Sequence, residues 1–261
     1  MIGFVYAVII ILANTIGAIS GMGGGVIIKP VFDAIGADSV PAITFYSTVA
    51  VFTMSIVSTL RQRKNMTIDY KKAGLISIGA VSGGILGNLA FEGLLKVVGA
   101  EEPVQLTQIV ITVLTIAFAW LVSDGRWNLR LKKTSWYIGA GVVLGFLASF
   151  LGIGGGPINV ALLMLCFGME IKAATVYSII TIFCSQLAKI LTIAATTGFG
   201  RYDLTMLFYI VPAAIIGGFM GATFSGILSA KKVRIIYQVV LLFVLAINIY
   251  NGIGVFLGWQ K

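Results

Sequence analysis

Two runs of three glycines are the places in this chain where residue type and spacing point to chemistry. Gly23, Gly24 and Gly25 lie within GMGGGVIIKP (Gly21 to Pro30), and Gly154, Gly155 and Gly156 within GIGGGPINVA (Gly152 to Ala161). Each run follows one apolar segment and precedes a second that is too short to cross a bilayer, which takes about 20 residues. Three adjacent glycines do not carry a helix on through lipid, because backbone released from helical bonding must find other partners or line a wet cavity. A helix restarting after the break would aim unpaired N–H groups and the positive end of its dipole at the occupant of that cavity, which favours an anion. Close helix packing also calls for small residues, so a packing role stands beside the anion-binding one. Three consecutive glycines nevertheless exceed what a seam at four-residue spacing needs.

Polar residues near the breaks extend the candidate site. Pro157 stands where the second helix would restart, a position at which proline has no donor to lose. Asn159 follows within the first turn, where its amide either donates to an oxyanion or bonds to a neighbouring helix. A T-x-Y-S pattern recurs as Thr44, Tyr46, Ser47 and as Thr175, Tyr177, Ser178, expected in the first turns of paired spans; such hydroxyls bind substrate or bridge helices. Lys29 and Lys189 are the two cations left inside apolar stretches, where a charge is costly and functional unless it snorkels. Lys189, with Gln186 one turn before it, lies deeper and is the better counter-ion for an anion. Asp33, four residues after Lys29, would make that pair structural.

The exclusions are as useful. The chain has no histidine, and its two cysteines, Cys166 and Cys184, sit in apolar segments, so neither a disulfide framework nor a metal site is expected. No phosphate-binding G-x-x-x-x-G-K-[ST] loop occurs. Catalytic residues, metals and cofactors are all expected to be absent, and the chain is not expected to be an enzyme. No Asp or Glu stands firmly in mid-span, so the coupling ion is left open.

Composition dictates what must position these residues. Hydrophobic residues make up 59% and charged residues 10%, against about 25% charged in soluble domains, and mean hydropathy is +1.04. The chain is expected to be an all-α polytopic membrane protein, with its first apolar run read as a membrane helix because no basic segment precedes it. The net charge of +9 sits mostly in the joints between apolar runs, which reads as a topology signal and not as nucleic-acid binding. Residues 1–122 form a first repeat, 123–136 a basic linker and 137–261 a second repeat. Shifting the second half by 131 residues superposes the glycine triplets and the two T-x-Y-S stretches, and a shift of 134 superposes Asp203 on Asp69. Each repeat is expected to hold a glycine-broken helical hairpin and three full transmembrane helices. The helix over 73–98 also carries a small-residue face, Gly79, Gly83, Gly84 and Gly87, suited to close packing.

Charge selects the orientation of the repeats. If the second is inverted, 13 of the 18 Lys and Arg residues fall on one side, including Arg61, Arg63, Lys64, Lys71, Lys72, Arg126, Arg130, Lys132 and Lys133, with Lys96, Arg201 and Lys261 on the other. A parallel arrangement is less asymmetric. The linker is therefore expected to be cytoplasmic and both termini external. Inverted repeats whose broken helices meet near the midplane characterise many secondary transporters.

The paired breaks, in two similar hydrophobic halves joined by a basic loop, resemble the TauE/SafE sulfite exporter family over essentially the whole chain. The resemblance implies transport of small anions: sulfite, sulfonates and related sulfur-containing organic acids. Pro157 follows the second triplet directly, whereas Val26 follows the first, whose proline comes later as Pro30; the two half-sites are chemically unequal. The expectation is a plasma-membrane transporter working by alternating access around a site between the breaks, with an anion channel or a non-transporting membrane subunit as alternatives. Its expected partners are a small anion and the lipid bilayer, with homo-oligomer formation left open.

Overall fold

A computed structural model describes residues 2–62, 69–123, 125 and 127–258. Arg63, Lys64, Arg126 and Lys261, which enter the charge count, lie outside the described residues. Those described form ten α-helices and no strand: α1 (Ile2–Ser20), α2 (Gly25–Ile35), α3 (Val40–Gln62), α4 (Tyr70–Val98), α5 (Glu101–Val122), α6 (Thr134–Phe150), α7 (Pro157–Phe167), α8 (Ile171–Ala195), α9 (Leu207–Ile227, led by a 3-10 turn at Leu204–Met206) and α10 (Ala230–Phe256). Seven are long and apolar enough to cross a membrane. The sequence led us to expect six. The seventh is α1, whose 19 residues reach about 28 Å at 1.5 Å each. Helices α3 and α8 begin earlier than expected, so Thr44 and Thr175 fall in second turns, not first ones.

The bundle has two polar ends, fixed by hydrogen bonds between joints. At one end the Tyr6 hydroxyl donates to Asp38 (2.7 Å), the Val40 amide to Glu101 (2.7 Å) and the Tyr46 hydroxyl to the Asp203 carbonyl (3.2 Å). At the other, the Asp69 amide donates to the Tyr177 hydroxyl (2.9 Å), Lys172 to the Leu228 carbonyl (2.8 Å), and the linker amides of Leu129 and Leu131 to the last turn of α7 (2.7 Å each). The two tyrosines of the T-x-Y-S stretches thus tie matching joints at opposite ends. Asp69 and Asp203 also cap the helices that follow them, and the amide of Lys72 and the hydroxyl of Thr205, respectively, lead the interactions holding their carboxyls below the usual range. The α1–α2 hairpin is closed by Tyr6 stacking on Phe32 at 3.7 Å.

The halves interlock. The first helix of each half lies along the fourth of the other, α1 on α9 and α6 on α4. Glycines make this approach possible: a Cβ at Gly79, Gly83 or Gly87 would strike the carbonyls of Ile138, Val142 or Phe146, and one at Gly141 or Gly145 those of Ile76 or Ala80. The main buried core draws Tyr6, Ile28 and Met54 together with Ile182, Tyr237 and Leu241. Gly83→Ala should therefore lower thermal stability in detergent, by the ~1–3 kcal/mol typical of overpacking. Gly93→Ala, with open space around it, should leave stability unchanged or raise it; equal melting temperatures for the two variants would contradict this seam.

Candidate functional site: the crossing of two glycine segments

The chain between α1 and α2 and the chain between α6 and α7 meet inside the bundle. Gly23 and Gly154 take positive φ angles of 79° and 68°, and each amide folds back onto the carbonyl six residues earlier, Gly23 onto Gly17 (3.3 Å) and Gly154 onto Ala148 (3.2 Å). The segments touch reciprocally. A Cβ on Gly25 would strike the Ile153 carbonyl and lie 2.7 Å from Ser47 Oγ, and one on Gly155 would lie 2.8 Å from the Met22 carbonyl. Gly21 rests on Thr175 and Gly152 on Thr44. Among the described residues, the amides of Gly24, Gly25, Gly155 and Gly156 donate to no protein acceptor.

The side chains around the crossing are polar and in part unsatisfied. Thr44, Ser47, Thr175, Ser178, Asn159, Gln186 and Lys189 are all buried. Thr44 Oγ1, Ser47 Oγ, Gln186 Oε1 and both amide atoms of Asn159 have no partner among the described residues. Ser178, the counterpart of Ser47, instead donates to the Gly21 carbonyl, and Thr175 to the carbonyl of Lys172 (2.7 Å). The inequality between half-sites expected from Pro157 thus reaches the hydroxyls: one pair is committed to backbone, the other open. Tyr46 and Tyr177 lie away from the crossing, at the two polar ends.

Lys189 is buried in α8, its Nζ donating to the Ser149 carbonyl at 2.7 Å and lying 5.6 Å from the Phe91 ring centroid. Ser149 belongs to the last turn of α6, so the ammonium also meets the negative end of that helix. Lys29 and Asp33 form the pair the spacing suggested, at 2.8 Å, with both side chains 4% exposed.

Three residues of this interior were not singled out from the sequence. Asn14, wholly buried in α1, donates to the Ala50 carbonyl (3.2 Å), and its Oδ1 is where a Cβ on Gly24 would collide. Ser149 supplies the carbonyl to Lys189 and carries an unpartnered hydroxyl. Glu92, buried within α4, holds Arg201 in a two-point ion pair. A lone Asn in a 19-residue apolar run and a lone Glu well inside the fourth were the available signals. Glu92 lies in the last two turns of α4 and Asp33 in the last turn of the short α2, so neither carboxylate stands in mid-span.

These positions can be set against known proteins. The model of the family described as "Sulfite exporter TauE/SafE" matches residues 6–249. The chain is 25% identical over 273 residues to "Probable membrane transporter protein YunE" of Bacillus subtilis, covering 96% of this chain and 98% of that protein. It is 26% identical over 243 residues to "Probable membrane transporter protein MJ0441" of Methanocaldococcus jannaschii, covering 88% and 89%. No solved structure matches the chain.

Two variants separate the roles open to Lys189. Lys189→Met leaves the Ser149 carbonyl without its donor and should lower the unfolding free energy by the ~1.5–3 kcal/mol of a charged hydrogen bond, whereas Lys189→Gln should restore most of it. If the charge also serves an anion, thermal stabilisation by sulfite or methanesulfonate should fall in both. Ligand stabilisation of the Gln variant equal to the parent's would leave Lys189 as a helix cap alone.

Proposed function

Because the chain belongs to the sulfite exporter TauE/SafE family and is a multi-pass membrane transporter and not an enzyme, we propose that it carries a small anion, sulfite or a sulfonate-like acid, by alternating access. The carrying observation is the crossing: two glycine segments touch where unbonded amides and the open polar atoms of Thr44, Ser47 and Asn159 collect. Amides at α2 and α7 would supply donors to the oxyanion. Asn159 and Ser47 would add side-chain donors, with Gln186 and Lys189 bordering the site on α8 and Ser178 and Thr175 shaping its far wall.

The halves act as inverted repeats in this reading. Support comes from the reciprocal packing of α1 on α9 and α6 on α4, and from the joints of matching sequence tied at opposite ends. The basic linker then faces the cytoplasm and both termini face outward across the plasma membrane. Tight packing of Val51 and Ile182 against Gly23, Gly154 and Gly155 fits an occluded conformation, from which rocking of one half against the other opens either end.

Counterflow in proteoliposomes tests the reading, with labelled sulfite, methanesulfonate, sulfoacetate and, for contrast, acetate. Saturable exchange of the sulfur oxyanions, accelerated by the same anion on the far side, is expected, along with labelling of an Ala37→Cys variant, but not of Leu129→Cys, by an impermeant reagent applied outside. Absence of exchange for every anion of the panel, or unitary currents in place of exchange, would overturn it.

A further inference from the structure

A cavity of ≈ 240 Å³ opens at the end of the bundle that carries the α2–α3 joint, walled by Asp33, Asp38, Ser39, Glu101, Glu102 and Gln105 among others. Four carboxylates are a strange lining for the approach to an anion site. They are not gathered as a metal site either, since no group of three metal-ligating side chains occurs among the described residues. One of the four differs from the rest. Asp33 is only 6% exposed, and while its Oδ2 accepts from Lys29, its Oδ1 has no partner. Asp38 and Glu101 are already bonded, to the Tyr6 hydroxyl and the Val40 amide.

Asp33 also reaches inward. A second cavity of ≈ 10 Å³ is lined by Lys29, Asp33, Gln108, Thr112 and, from the glycine crossing, Val26 and Ile153; its size is that of about one water. Asp33 and Lys29 therefore stand between the acidic cavity and the crossing. The groups that face Asp33 are Lys29 on its own helix, Tyr6 from α1, Asp38 from the joint, and Glu101 and Glu102 from α5, with Tyr46 of α3 close to Asp38. Among the described residues α10 offers only the neutral Asn248 and Asn251.

We propose that Asp33 is the proton-coupling residue, taking a proton from the acidic cavity onto Oδ1 as an anion occupies the crossing. This rests on the anion-transport reading above. The charges balance. With the crossing vacant, Asp33 and Lys29 form a neutral buried pair. Lys189 is held at the end of α6 by the Ser149 carbonyl, and an anion arriving on the α2 side without a proton would lie beside the Asp33 carboxylate, which is costly out of water. A hydronium ion in the cavity breaks one O–H bond and is left as water, and its proton forms one O–H bond on the Asp33 carboxylate, which ends the ion pair and leaves the Lys29 ammonium as the positive partner of the anion. One proton and one monovalent anion then move together, and the interior carries the same charge loaded as vacant.

The test uses the full-length protein in proteoliposomes with an internal pH dye, and each anion of the panel that exchanges. A pH gradient, acid outside, should drive accumulation of a monovalent sulfonate by about tenfold per pH unit, the ratio at which the two free energies match, with one proton entering per anion. Asp33→Asn, a neutral mimic of the protonated acid, should keep exchange and lose gradient-driven accumulation, while Asp38→Asn should retain both. Net anion uptake without proton entry in the parent protein, or undiminished accumulation by Asp33→Asn, overturns the proposal while leaving anion transport intact. Should Asp33→Asn not fold, the parent's proton count still decides. Failure of every anion to exchange removes both readings together.

Discussion

Backbone that leaves a helix inside an apolar bundle has no water to turn to, and the arrangement of this protein follows from how that debt is met. Helices α1 and α6 end in the interior, so their last carbonyls need donors. Gly17 and Ala148 receive them from the glycine turns themselves. Ala18 is served by Gln62 (3.5 Å), Ser149 by Lys189 and Phe150 by Gln108 (2.7 Å). Beyond the turns, Gly21 accepts from Ser178, Pro30 from Asn251 and Pro157 from Tyr237. Nearly all of these donors come from helices distant in sequence. Satisfying the broken backbone is therefore what binds α3, α5, α8 and α10 to the hairpins.

Not every group of the two glycine segments is met in this way. At the crossing the carbonyls of Gly21, Gly24 and Gly156 accept hydrogen bonds, whereas the amides of Gly24, Gly25, Gly155 and Gly156 make none among the described residues. Unmet N–H donors beside open hydroxyl and amide groups suit an oxyanion. The turn geometry requires glycine at Gly23, Gly154 and Gly156, which take positive φ, and contact requires it at Gly24 and Gly155, where a Cβ would meet Asn14 and Ile182. Loss of function on enlarging either glycine would thus report packing as readily as ligand binding. Side chains that can change without filling the turn are the better probes.

Much of this was legible in the sequence because membrane burial narrows the choices. Glycine triplets at a constant offset, charges gathered in joints and a cation within an apolar run each had few explanations, and most helices fall where these marks placed them, with α1 long enough to span and α3 and α8 starting earlier. What stayed hidden depended on pairing across the chain. Nothing local to Tyr46 and Tyr177 reveals that they reach Asp203 and Asp69 instead of the crossing. Glu92 could not be matched to Arg201, 109 residues away, while Asn14 becomes informative only once Gly24 is seen to lie against it. Lys189 was identified by the cost of burying it, but its bond to a helix end required the fold.

The central claim is that anions occupy the crossing, and Ser47 is the side chain best placed to report on it. In a background with Cys166 and Cys184 replaced by serine, Ser47→Cys would put a thiol beside Gly25, and its alkylation rate by a small maleimide can be followed with and without methanesulfonate or sulfoacetate. Occupancy of the crossing requires alkylation to slow in step with the concentration that half-saturates exchange. A rate unchanged by anion concentrations that saturate exchange would place the transported anion elsewhere.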